Sequence, residues 1–127
     1  MINDIFNKQH EIKINDKTLK IEFDNAAYAK AEQLTNQGLF SLYNELIVKN
    51  NLSYSKCVDV LCCGLMKHND QNEILEVKKQ LEEKKFLLMQ NIGVLSFAFA
   101  EPLMPPEIIE KTKKKAKLKK QTKTSIG

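Results

Sequence analysis

The chain contains no tryptophan and no arginine, and only four glycines, three prolines, three cysteines and two histidines. Each shortage excludes something. Without arginine there is no planar bidentate donor of the kind that phosphate and base recognition favour. The glycines are isolated, so neither a G-x-G-x-x-G turn nor a phosphate-binding loop can be built. His10 and His68 stand far apart and no G-x-S-x-G elbow is present, which leaves nucleophilic catalysis without its parts. An odd cysteine count argues against a disulfide framework. No apolar run reaches the roughly 20 residues that span a bilayer. The opening Met1-Ile2-Asn3-Asp4-Ile5-Phe6 is neither basic nor followed by an apolar signal core, so the expected location is the cytoplasm.

What is present is 127 residues, 43% of them apolar, enough for one domain with a modest core. All twenty basic residues are lysines, and their placement matters more than the net charge of +4. Eight of them fall between Lys111 and Lys123 with no acid among them. The first 110 residues carry twelve lysines against all sixteen acids. An acidic body of −4 therefore precedes a basic tail of +8.

Residues 1–10 have no clear period and read as a loose leader. Ile12 and Ile14 alternate with Glu11 and Lys13, and Leu19, Ile21 and Phe23 alternate with Lys20 and Glu22. Two period-2 runs around Asn15-Asp16-Lys17 predict a β-hairpin with one apolar face, which must lie against something to be stable. Asp24 or Asn25 caps a first helix through Thr35, with Ala27, Ala31 and Leu34 inward and Gly38 placed to end it. Leu39 to Lys49 is a second short helical run, with Leu39, Tyr43, Leu46 and Ile47 at helical spacing, broken by Asn50-Asn51. A third helix opens at Ser53 or Ser55 and runs to about His68. Its apolar positions go most of the way round, as in the buried centre of a small domain. Asp70-Gln71-Asn72-Glu73 has capping-box spacing for a fourth helix with Ile74, Val77 and Leu81 inward. Phe86 to Ala100 is a fifth, and Pro102, Pro105 and Pro106 stop regular structure. The expectation is a single α+β domain over residues 11–106, a hairpin packed on four or five helices, followed by a lysine-rich tail at 107–127.

Cys57, Cys62, Cys63 and His68 form C-x4-C-C-x4-H, a tempting zinc pattern. Adjacent cysteines on one helix point about 100° apart, so Cys62 and Cys63 do not converge on one tetrahedral ion. They read as small buried hydrophobes. Glu82-Glu83 lies on a lysine-rich helix face and reads as solvated surface. No metal, no cofactor and no enzymatic activity is expected. The lysine tail can neutralise phosphates by counterion release, but it lacks the aromatic residues that stack on bases. The run from Phe86 to Ala100 holds more apolar residues than one buried face requires. It reads either as the main wall of the core or as a surface that captures apolar helices.

In chain order, the hairpin strand Thr18-Leu19-Lys20-Ile21-Glu22-Phe23 is followed by Asn25-Ala26-Ala27-Tyr28-Ala29-Lys30-Ala31-Glu32 and Gly38-Leu39-Phe40-Ser41-Leu42-Tyr43. Then come residues 53–65, with Cys62-Cys63-Gly64-Leu65, and the acidic helix start at Asp70. Over about residues 11–103 this resembles the small tail assembly chaperones of long-tailed bacteriophages, in the branch related to gene transfer agents. The resemblance implies a non-enzymatic chaperone that coats the helical tape measure protein before tube subunits polymerise, and that is absent from the mature virion. It also implies the tail tube protein as a second partner, and a longer product made by ribosomal frameshifting near the lysine codons. Self-association is a further partner reading, and membrane contact is not expected. Leu39, Phe40, Tyr43, Phe97, Phe99 and Leu103 are the expected partner-binding residues, chosen as apolar side chains beyond the needs of the core. The rival functions are a small nucleic-acid-binding protein acting through Lys111 to Lys123, and a structural tail component. A reading frame without an overlapping −1 or +1 frame after Lys123 would remove the frameshift.

Overall fold

The structure, a computed structural model, describes residues 10–105. The expected leader and lysine tail lie outside the described residues, apart from His10, which opens the first strand. Two antiparallel strands, β1 (His10–Ile14) and β2 (Lys17–Ile21), are followed by five helices: α1 (Asn25–Thr35), α2 (Leu39–Tyr43), α3 (Tyr54–Leu65), α4 (Gln71–Glu83) and α5 (Phe86–Ala100). A π-helical segment, Asn44–Val48, extends α2, and a 3-10 turn, Glu101–Leu103, closes α5. The fold is α+β, as the alternation and spacing predict.

Asn15 makes the hairpin tight by adopting a left-handed φ of 56°, which asparagine tolerates better than most residues. Ile14 then pairs with Lys17 and Ile12 with Leu19, so Ile12, Ile14, Leu19 and Ile21 all face inward. Strand period and burial agree.

Both edges of this two-stranded sheet are tied to helices. The Glu22 N–H donates to the Gly64 carbonyl at 2.8 Å, and Asn69 Nδ2 donates to the Lys20 carbonyl at 2.9 Å. On the other edge Asn91, buried in α5, does the work of a strand residue. Its Oδ1 accepts from the Lys13 N–H at 2.9 Å, and its Nδ2 donates to the Lys13 carbonyl at 2.8 Å. The same Nδ2 also donates to the Leu87 carbonyl at 2.8 Å. A side-chain amide has one donor and one acceptor face, which matches a strand's open N–H and C=O.

Helix α3 is the centre, touching α1, α4, α5 and β2. Gly64 sets its distance from β2. A Cβ there would lie 2.6 Å from Ile21 Cγ1 and 2.8 Å from the Phe23 ring. Phe23 stacks on Tyr28, and both rings meet Phe99 edge-on at centroid distances of 5.2 and 5.3 Å. The Tyr28 hydroxyl donates to the Phe99 carbonyl at 2.7 Å, which satisfies a buried polar tip.

Some local expectations change. Asp24 caps α1, accepting from the Ala27 N–H at 2.9 Å, but Asn36 rather than Gly38 takes the left-handed position after it, with φ 55°. Gly38 instead precedes α2, whose Leu39 N–H donates to the Glu32 carboxylate at 2.8 Å. Leu34 is 48% exposed, and Thr35 is buried in its place. Tyr28 explains this: its inward position rotates α1 so that Ala27, Tyr28, Ala31 and Thr35 share the buried stripe. Thr35 Oγ1 meets its need for a partner by donating to the Ala31 carbonyl. Asp70 caps α4 through the Glu73 N–H at 2.8 Å, with Ile74, Val77 and Leu81 buried as expected.

Glu22 receives Lys67 Nζ at 2.5 Å and lies 3.0 Å from His68 Nε2. These contacts, Lys67 first and His68 second, hold the Glu22 carboxyl below its ordinary value of 4.5. A lowered folded value contributes stability above that ordinary value and loses it as pH falls through the folded one. Glu22→Gln should therefore differ most from wild type at neutral pH. The difference should shrink below about pH 4.5 in denaturant titrations. Gly64→Ala should destabilise the fold by about 1–3 kcal/mol in the same measurement, although alanine is the better helix former.

Candidate protein-docking surface

Among the described residues, no three His, Cys, Asp or Glu side chains converge in a way that could hold a metal ion. The three thiols are free and buried. Burial pushes Cys62 up to about 12 and Cys63 up to about 11, with the charge of Asp59 acting in the same direction. Burial raises Cys57 as well, and its Sγ lies 3.6 Å from the Leu52 carbonyl. Thiols held neutral in this way are packing atoms rather than nucleophiles.

The features left to explain are apolar side chains on the outside. Of the residues expected to bind a partner, Phe40 is 84% exposed and Phe97 is 37% exposed. Leu39, Tyr43 and Leu103 are partly buried and pack against the core. Phe99 is fully buried, and this corrects the expectation for it. Residues two apart on a helix point to nearly opposite sides, so Phe97 and Phe99 cannot share a face. Phe99 belongs to the aromatic cluster with Phe23 and Tyr28. Phe97 instead meets the His10 ring edge-on at 5.0 Å, and among the described residues none of the aromatic pairs includes Phe40 or Tyr43. Of the six, Phe40 and Phe97 are exposed to a partner, whereas Phe99 is not.

Two other apolar surfaces are built. The first is a groove of about 210 Å³ between α1 and α4, floored by α3. Cys62 and Cys63 line its base, and Ile74 lines one wall. Leu34 from α1, Met66 after α3 and Leu75 from α4 form the lip, 48%, 37% and 53% exposed. Lys30 and Lys78 stand on opposite walls, with Asp59 between them. The sequence held a signal for it: Leu75 falls outside the Ile74–Val77–Leu81 stripe and has no place in the core.

The second surface is the outer side of α5, a helix that is core wall on one side and exposed apolar face on the other. Leu87, Leu88, Asn91, Leu95, Ala98, Phe99 and Ala100 face the core. Phe86, Met89, Gly93 and Phe97 face out at spacings of three and four, the first two 57% and 71% exposed. No charge interrupts the helix from Phe86 to Ala100. Residues Phe86–Leu103 are long and apolar enough by length and composition to cross a membrane, with 39% of that segment buried in the bundle. Such a burial pattern also suits the core helix of a folded domain, the role that Asn91 and Leu95 give it here.

No protein-family model, curated protein or solved structure matches the chain. The surfaces must be read from their own chemistry. If the thiols serve as packing atoms, the folded protein at about pH 8 should react with a thiol-specific disulfide reagent far more slowly than the unfolded chain. Labelling of Cys63 in the folded form should accelerate as pH nears 11, where that thiol ionises.

Proposed function

We propose that this protein is a non-enzymatic tail assembly chaperone of a phage or prophage, which holds apolar helices of the tape measure protein until tube subunits enclose them. One observation carries this reading: Leu34, Met66 and Leu75 are exposed together at the lip of a preformed groove. Solvated helix faces do not need three apolar residues at one site, and a groove floored by small side chains accepts the knobs of an amphipathic helix. Lys30 and Lys78 on its walls favour a client whose apolar stripe is flanked by acids. The sequence resemblance supports the same role.

Co-expression with a tape measure protein from a long-tailed phage tests the reading. Wild type should raise the soluble fraction of that partner several-fold. Leu75→Glu should remove the effect while leaving the melting temperature nearly unchanged, because exposed substitutions cost within about 0.5 kcal/mol. Truncation after residue 106 should leave client binding intact. Indifference of the partner's solubility to this chain would overturn the proposal. So would stoichiometric copies in purified particles, which would make the protein a tail component. Duplex binding that weakens steeply with salt and disappears with the tail would favour the nucleic-acid reading instead.

A further inference from the structure

We infer that the outer face of α5 pairs with the same face of a second copy of this chain, antiparallel about Gly93. The inference does not depend on the identity of the client, because it concerns a different surface from the α1–α3–α4 groove.

The order of residues along the ridge carries it. At every fourth position stand Lys85, Met89, Gly93, Phe97 and Glu101, with Lys85 and Glu101 equally far from Gly93. Lys85, Met89, Gly93 and Phe97 are exposed and Glu101 is half-buried. A two-fold axis at Gly93 sets Met89 of one copy against Phe97 of the other, and Lys85 against Glu101, twice over. A parallel pair would oppose Lys85 to Lys85, so the charges select the antiparallel arrangement. Ridges of every fourth residue interdigitate at an interhelical angle of about −50°. The central position must then be small, because two backbones approach most closely there. Gly93 is, and among the described residues nothing lies within 4 Å of where its Cβ would be. Gly93 therefore has no packing role among the described residues, in contrast to Gly64. A methionine thioether against an aromatic ring is a favourable contact. The face is self-complementary, as a two-fold interface requires.

The Glu101 carboxylate already holds His10 Nε2 at 2.6 Å through Oε2, which fixes it at the end of the ridge. At the other end Lys85 Nζ lies 5.8 Å from the centre of the Tyr54 ring.

Analytical ultracentrifugation of the full chain over a concentration series, under reducing conditions, tests the pairing. Wild type should show a reversible monomer–dimer equilibrium. Gly93→Ala should raise the melting temperature, since alanine is the better helix former at an unobstructed position. It should nevertheless weaken dimerisation about tenfold, an opposition of effects that a merely structural glycine would not give. Lys85→Glu and Glu101→Lys should each be monomeric alone, and mixing the two variants should restore a one-to-one dimer. A wild type that stays monomeric at every concentration would overturn the inference. A dimer insensitive to Gly93→Ala, or two charge variants that fail to associate on mixing, would do the same.

Discussion

A two-stranded sheet is the least self-sufficient element in this molecule, and its needs organise the rest. It offers one apolar face and two open edges, and such hairpins are at best marginally stable alone. Helix α3 covers the face, and it comes close enough only because Gly64 has no side chain to strike Ile21 and Phe23. That approach also brings the Gly64 carbonyl to the Glu22 N–H. Phe23 is then fixed where Tyr28 and Phe99 close around it, and Tyr28 in turn sets the rotation of α1. The lip of the groove follows from the same rotation, because it is what leaves Leu34 outside.

Much of this framework was legible in residue order. Alternation at Ile12, Ile14, Leu19 and Ile21 encodes the hairpin, since period 2 has few other structural meanings. Asp70 with Ile74, Val77 and Leu81 marks α4, where a cap and a single clean stripe agree. The bounds of α5 were legible too, from a run ended by Pro102. Positions settled by distant parts of the chain were not. Asn91 hydrogen-bonds Lys13, 78 residues away, and nothing local distinguishes it from a surface amide except its place in an apolar run. Thr35 replaced Leu34 inside because a tyrosine hydroxyl needed the Phe99 carbonyl, a contact 71 residues apart. Gly38 looked like a helix end because glycine favours left-handed positions, but Asn36 reached one first.

The site was less legible than the fold for a related reason. Excess apolar content along a helix shows that something is left over, without showing which residues. Phe97 and Phe99 were equal candidates by composition, and only the phase of α5 against β1 separates the exposed ring from the buried one. The groove needed three segments to meet: Leu34, Met66 and Leu75 are far apart in sequence and become neighbours only when α1 and α4 flank α3.

Helix α4 provides an internal comparison for the two exposed apolar surfaces. Its outward positions carry Glu73, Glu76, Lys78, Lys79, Glu82 and Glu83, so this chain can build a well-solvated helix surface. The outer side of α5 does nothing of the kind, holding Phe86, Met89 and Phe97 with no charge between its ends. Leaving such side chains in water has no benefit for the fold, because the core is already closed by Leu87, Leu88, Leu95 and Phe99. An apolar face of this kind, with its charges kept at the two ends of one ridge, has the composition of a contact surface. The groove differs in kind, being concave and walled by lysines. A convex apolar ridge and a concave groove walled by Lys30 and Lys78 differ in both shape and charge, so the two surfaces suit different occupants.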